Sequence, residues 1–197
     1  MAESTRDRIL DAALRAFGTE GFAATSLDAL AAQLGIRKQT ILYYFPSKQA
    51  VFEAVIDAAA VDLANVFESE ASRGLVGLNQ VEAIVRRVFR LAVAQPELLG
   101  LVREVTRPGS LSADRLATQV APVFSRAREF LQREMDAGHL RNSDPEMLLL
   151  SLYSTVVGVA TELEVQRAMG IPPTLRGTVA RRQELTRFLR AALEPAS

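Results

Sequence analysis

Helical periodicity running through almost every segment, with no strand-type alternation of useful length, is what most constrains the fold of this chain. From Arg6 to Phe17 the apolar positions Ile9, Leu10, Ala13, Leu14 and Phe17 recur every three or four residues, which places them on one helix face. Ser4 and Thr5 are candidate caps at its start, and Gly18 and Gly21 punctuate its end. Thr25, with Asp28 three residues on, resembles a capping box opening a short helix through Leu27, Leu30, Ala31 and Leu34. Gly35 stops that helix as a candidate left-handed cap. A third short helix is expected over about Arg37–Tyr44. Pro46 then breaks the chain, and Ser47 caps a longer fourth helix reaching about Glu68. Further helices are expected at about Leu78–Ala94, Pro96–Arg107, Ala113–Ala137, Pro145–Met169 and Gly177–Leu193, with Pro96 and Pro145 at first-turn positions. The pattern predicts an all-α fold in which three short helices precede longer ones.

The 197 residues, 49% of them hydrophobic, suffice for a substantial core. A formal net charge of zero means that any basic surface is local and offset elsewhere. With no cysteine there is no disulfide, thiol catalysis or zinc–thiolate site. The single histidine, His139, lies in the polar connector GHLRNSD and reads as a surface residue. No paired-carboxylate or phosphate-loop motif is recognisable, so neither an enzyme nor a cofactor or metal site is expected. The N-terminus MAESTRDRIL lacks the apolar core of a signal peptide. The uncharged run from Met147 to Thr161 is too short and too rich in Ser, Thr and Gly to span a membrane. It reads instead as a helix buried on more than one face, and a cytoplasmic location is expected.

Within this neutral chain one stretch stands out. GIRKQTILYYFPSK, Gly35 to Lys48, holds both lysines of the chain and two of its three tyrosines. The 21 arginines match GC-rich coding as an explanation of lysine scarcity, but that leaves the placement of Lys38 and Lys48 unexplained. A short helix, a glycine-containing turn and a second short helix outline a helix-turn-helix. Arg37 and Lys38 open the third helix and Lys48 opens the fourth, where cations oppose the helix macrodipole at about 0.3–1 kcal/mol each when exposed. Phosphate contacts at these helix starts would resolve the conflict. In that reading Lys48 holds the DNA backbone, and Lys38 does the same or reaches a guanine edge. Arg37, Gln39 and Thr40 carry the chemistry of base edges, Arg for guanine, Gln for adenine and the Thr methyl for thymine. The hydroxyls of Tyr43 and Tyr44 reach phosphate, while Ile41, Leu42 and Phe45 pack the helix onto its neighbours. The alternative is a solvated charged surface with the tyrosines as core aromatics.

The segment FGTEGFAATSLDALAAQLGIRKQTILYYFPSK, Phe17 to Lys48, resembles the DNA-binding signature of the tetracycline-repressor (TetR) family of bacterial transcriptional regulators. Phe17, the Gly21-Phe22 pair, Thr25, Gly35, Thr40, Tyr43, Phe45 and Lys48 carry the resemblance. It implies a homodimer with N-terminal DNA-binding heads and a C-terminal domain for a small apolar or amphipathic effector. It also implies that Thr25, Tyr43 and Lys48 contact phosphates of double-stranded operator DNA, with Arg37 to Thr40 as the base-reading end. Leu42 departs from the pattern, since the family often has a tyrosine there. Arg37 and Gln39 replace small residues common at those positions.

This assigns residues 1–46 to DNA binding and residues 47–197 to effector binding and dimerisation. The family layout makes the last two expected helices, Pro145–Met169 and Gly177–Leu193, the dimer interface. In the second of these Leu185, Phe188, Leu189 and Leu193 form one stripe, with Arg182, Arg187 and Arg190 mostly outside it. The competing reading makes both helices intradomain core. Phe89, Leu98, Phe124 and Tyr153 are candidate pocket residues among the middle helices, with Arg103 or Glu104 as a polar anchor. An effector signal would travel through the fourth helix. The function so implied is a repressor released from its operator by an effector. The alternative is a helical enzyme, or a binding protein for an apolar small molecule, that does not bind DNA.

Overall fold

The computed structural model describes residues 4–71, 73–106, 112–161, 163–171 and 174–195. Among these residues the secondary structure is helical throughout, without strands. The helices are α1 (Thr5–Thr19), α2 (Leu27–Leu34), α3 (Lys38–Tyr44), α4 (Lys48–Ala71), α5 (Gly77–Ala94), α6 (Pro96–Thr106), α7 (Ala113–Asp136), α8 (Pro145–Thr161), α9 (Leu163–Ala168) and α10 (Leu175–Leu193). The segment expected as one helix from Pro145 to Met169 is described as α8 and α9, with residue 162 outside the described residues.

Most helix ends are set by the expected residues. Ser4 caps α1, its Oγ accepting from the Asp7 N–H at 3.1 Å, and Ser47 caps α4 through the Ala50 N–H at 3.0 Å. Gly35 is left-handed at φ 66°, and the Ile36 N–H donates to the Ala31 carbonyl at 3.0 Å, closing α2 in a Schellman arrangement. The cap of α2 differs from expectation. Ser26, not Thr25, accepts from the Ala29 N–H at 3.1 Å. Thr25 is buried and its hydroxyl is committed to the preceding turn, donating to the Gly21 carbonyl at 2.9 Å. Asp28 turns to Lys38, so no capping box forms.

The chain divides into two compact units. The first comprises Met1–Leu63 and Gln95–Val120. Its core joins Ile9, Ala13 and Phe17 of α1 to Leu30 of α2, Ile41 of α3, Val51, Phe52, Val55 and Ile56 of α4, and Leu101 and Val105 of α6. Phe17 and Phe52 meet edge to face at 5.0 Å, and Phe22 closes the cluster 4.9 Å from Phe52. Helix α6 approaches α1 backbone to backbone. A Cβ on Gly100 would stand 1.8 Å from the Gly18 carbonyl oxygen, and one on Gly18 would stand 2.3 Å from that of Glu97. The start of α7 is tied to α4 by Arg115, whose Nε donates to Asp57 at 3.0 Å and whose Nη1 lies 3.3 Å from Glu53. The bond to Asp57 holds this guanidinium still more firmly protonated than usual.

The second unit comprises Ala64–Ala94 and Ala121–Ser197. Its core is built by Val81, Val85 and Phe89 of α5, Leu131 and Met135 of α7, Leu140, Val156 of α8, and Leu185, Leu189 and Leu193 of α10. Glu134 joins α7 to the start of α5, accepting from the Gly77 N–H at 2.8 Å and lying 2.9 Å from His139 Nδ1. His139 is half exposed, as its connector position implied.

Helix α8 is not enclosed by this unit. Leu148, Leu149, Leu152 and Val159 pack on the core, whereas Met147, Leu150 and Tyr153 remain exposed. The expected stripe on α10 divides in the same way. Its three leucines are intradomain core and Phe188, at the edge of the stripe, stays 61% exposed.

Candidate nucleic-acid interface

Helices α2 and α3 and the turn between them belong to the first unit, and α3 is anchored by the two side chains that point inward. Ile41 is fully buried and Phe45 nearly so, four residues apart and therefore on one face. Burying a residue such as Ile41 contributes about 1.5–3 kcal/mol. With that face spent on the core, Gln39 and Tyr43 are carried to the opposite one, where Tyr43 is 83% exposed. Its ring meets Tyr44 edge to face at 5.1 Å. Arg37 is exposed, takes the N-cap position of α3 without capping it, and has no ion-pair partner among the described residues. Thr40 is half-buried, the Lys38 side chain is 42% exposed, and Leu42, expected to help pack the helix, is exposed.

The cations at the helix starts are not equivalent. The macrodipole conflict predicted from sequence is relieved inside the chain for two of the three. Lys38 Nζ lies 2.8 Å from Asp28 Oδ2, joining the start of α3 to the start of α2. Asp28 is well exposed and Lys38 partly so, and a pair at the surface contributes at most about 1 kcal/mol and breaks readily.

Lys48 is held more firmly. Its ammonium donates to the carbonyls of Phe22 at 2.8 Å and Thr25 at 2.9 Å, and lies 4.3 Å from the centroid of the Phe22 ring. Lys48 therefore clasps the 22–25 turn that sets the entry of α2, with one of its three donors left over. Thr25 supplies both a carbonyl to this clasp and a hydroxyl to Gly21. Two further ties hold the helices together: Arg6 stacks over Phe45 at 5.4 Å, and Arg8 Nη2 donates to the Leu34 carbonyl at 3.3 Å.

The eight DNA-contact candidates thus fall into two groups. Arg37, Gln39, Tyr43 and the half-exposed Thr40, Tyr44 and Lys38 are presented by α3 and its cap. Thr25 and Lys48 brace the turn behind it. The clasp escaped sequence reasoning because its partners are backbone carbonyls far away along the chain, which leave no mark on residue type. The same applies to the Gly18–Gly100 crossing. Both glycines are visible in the sequence, but their pairing is not.

The candidate pocket residues do not share one unit. Phe89, Phe124 and Tyr153 are in the second, Leu98, Arg103 and Glu104 in the first. Phe89 is core, while Phe124 and Tyr153 meet edge to face at 6.1 Å.

Residues 9–55 match the family described as bacterial regulatory proteins, tetR family. An HTH-type transcriptional repressor of Streptomyces coelicolor is 31% identical over 100 residues, covering 51% of this chain and 48% of that protein. The HTH-type transcriptional regulator RutR of Escherichia coli is 25% identical over 148 residues, 75% of this chain and 69% of RutR. The chain thus spans about half the length of the first of these relatives and about two thirds of the second. Among solved structures, FadR from Bacillus subtilis in complex with stearoyl-CoA aligns with a TM-score of 0.79 at 14% identity, covering 92% of this chain and 96% of that one. A putative transcriptional regulator from Saccharomonospora viridis in complex with choline aligns with a TM-score of 0.74 at 18% identity, covering 95% and 96%. At these identities the structural matches speak for the shared fold, an N-terminal helix-turn-helix followed by a helical domain.

Proposed function

The chain belongs to the tetR family of bacterial regulatory proteins, and on that premise we propose that it is a homodimeric transcriptional repressor released from operator DNA by a small effector. The observation that carries this reading is the presentation of α3. A seven-residue helix is pinned by Ile41 and Phe45 while Arg37, Gln39 and Tyr43 are turned to solvent. In the proposal α3 enters the major groove. Arg37 reads guanine and Gln39 adenine, with the Thr40 methyl against thymine. Tyr43 and Tyr44 hold phosphates. Lys38 joins them by exchanging Asp28 for a phosphate oxygen, and Lys48 offers its remaining donor from the clasped turn beside Thr25. Residues 1–46 act as the DNA-binding part and 47–197 as the effector and dimerisation part.

The proposed dimer forms through α8 and α10. Supporting it are Met147, Leu150 and Tyr153 on α8 and Phe188 on α10, apolar side chains that the second unit leaves uncovered. A two-fold interface would bury them against their own copies. The effector is read as small and apolar or amphipathic, bound in the second unit near Phe89, Phe124 and Tyr153. That FadR from Bacillus subtilis is in complex with stearoyl-CoA, and the Saccharomonospora viridis regulator with choline, supports a small-ligand role for a chain of this fold. An effector shifts the dimer between two head spacings only by binding one of them better. Helix α4, and the backbone contact of α6 with α1, are the proposed routes to the heads. The relatives are regulators of transcription, and the chain is read as non-enzymatic. No helix among the described residues is long and apolar enough to cross a membrane, and the proposed location is the cytoplasm.

A mobility-shift titration on the DNA upstream of the protein's own gene tests the reading. Specific binding that weakens steeply with salt is expected. Arg37→Ala should cost about 1–3 kcal/mol, roughly five- to 150-fold in affinity, and relax preference at one base pair. Binding unchanged by Arg37→Ala, Gln39→Ala and Tyr43→Ala together would refute α3 as the reading element.

A further inference from the structure

The second unit contains a cavity of about 250 Å³ lined by Glu70 near the end of α4, Arg73 of the turn beyond it, Ala83, Arg86 and Arg90 from α5, and Arg182 from α10. None of the apolar residues considered for an effector pocket lines it. Four arginines line it, from α5, α10 and the turn beyond α4, against a single carboxylate. That carboxylate, Glu70, is buried and already engaged by Arg73 at 3.2 Å. Arg86 has only a long contact to Glu82, 3.5 Å, and Glu82 is shared with Arg190, whose Nε donates to it at 2.9 Å. No carboxylate among the described residues pairs with Arg90 or Arg182. Arg86 and Arg90 are one turn apart on α5, a like-charge spacing that works against the helix. Ala83, 4% exposed, keeps the floor between them small.

A guanidinium cannot shed its proton at any pH the cell reaches, so this surplus of charge is not relieved by titration. Water at the exposed Arg73, Arg86 and Arg90 relieves part of it, and an anion from outside would relieve the rest, a concave setting focusing the field on that anion. The planar fork of Arg binds two oxygens of one group at a time, which suits phosphate. Several arginines lining one cavity favour a ligand with more than one negative charge. At about 30 Å³ per water-sized volume, the cavity exceeds what a lone small ion fills.

We propose that this arginine-lined cavity is a binding site for a phosphate-bearing small molecule, with Arg90 and Arg182 as its principal ligands and Arg86 completing it. Binding in this cavity is independent of DNA recognition by α3.

The test is isothermal titration calorimetry of the full chain, without DNA, against sodium pyrophosphate at constant ionic strength. Saturable binding is expected, and Arg90→Gln and Arg182→Gln should each weaken it about tenfold or more, as loss of a charge-assisted bond predicts. Arg187→Gln, on an exposed α10 residue paired with Glu184 and outside the cavity, should leave it unchanged. Thermal denaturation of each variant establishes that it is folded. Absence of pyrophosphate binding, or binding weakened equally by all three substitutions, would overturn the proposal. Binding of citrate or of random-sequence duplex DNA in place of pyrophosphate, with the same dependence on Arg90 and Arg182, would overturn it in favour of a carboxylate or a nucleic-acid site. Either result leaves the operator-binding reading to its own assay.

Discussion

The lysines at the starts of α3 and α4 look alike in sequence, yet their surroundings give them different work. Lys38 has one exposed carboxylate partner, Asp28, that a phosphate can displace. Lys48 is bound to two carbonyls and an aromatic face. A hydrogen bond from a charged group contributes about 1.5–3 kcal/mol, and losing the Lys48 clasp costs at least one such bond. Lys48→Met is therefore expected to lower the free energy of unfolding by about 2 kcal/mol, read from the urea midpoint of the protein without DNA. A lysine serving DNA alone would leave that midpoint where it was. Tyr43→Ala is expected to behave in the opposite way. Its side chain is 83% exposed, so stability should move by less than about 0.5 kcal/mol while operator affinity falls. Paired urea and mobility-shift measurements on the two variants separate bracing from contact.

At the scale of elements, the short helices owe their limits to local chemistry. Gly35 at φ 66° ends α2, and Ser26 and Ser47 supply the caps. Ser26→Ala should cost about 1 kcal/mol, whereas Thr25→Ser, which keeps the hydroxyl bond to Gly21, should not weaken the cap. A urea titration distinguishes the two. The union of α1 with α6 rests on a closer tolerance. A methyl group at Gly100 would overlap the Gly18 carbonyl, an atom that cannot move without shifting α1. Gly100→Ala is expected to destabilise the first unit by about 3 kcal/mol, the upper range for overpacking. In folded protein it should also change the affinity for operator, since α1 and α3 share one core. Circular dichroism melting alongside the mobility shift reads both effects. In the sequence Gly18 marks only the end of a helix, and nothing there announces that a second glycine will lie against it.

For the whole molecule, the decisive feature is apolar surface left uncovered by one copy of the chain. Met147, Leu150, Tyr153 and Phe188 are exposed on α8 and α10. A helix-turn-helix dimer must place its recognition helices about 34–36 Å apart to read successive turns of DNA, so, for the proposed dimer, loss of its interface should abolish tight operator binding even with α3 intact. Leu150→Asp combined with Phe188→Asp is expected to yield a folded monomer by analytical ultracentrifugation, because neither side chain belongs to the intradomain core. A dimer that persists in this variant would place the interface elsewhere.

The sequence alone determined the helical class, most helix limits, the helix-turn-helix outline and, Leu42 apart, which side of α3 meets the core. These follow from spacings of three and four residues and from Gly, Pro and Ser acting on their immediate neighbours, interactions that are local along the chain. Tertiary structure alone decided that Ser26 rather than Thr25 caps α2, that Lys48 clasps a turn, that Gly18 meets Gly100, and that the α10 stripe splits between core and surface. It also decided that arginines scattered from Arg73 to Arg182 line one cavity. Each of these depends on which distant atoms folding brings within a few ångströms, and residue type carries no record of a partner that is a backbone carbonyl or a neighbour on another helix.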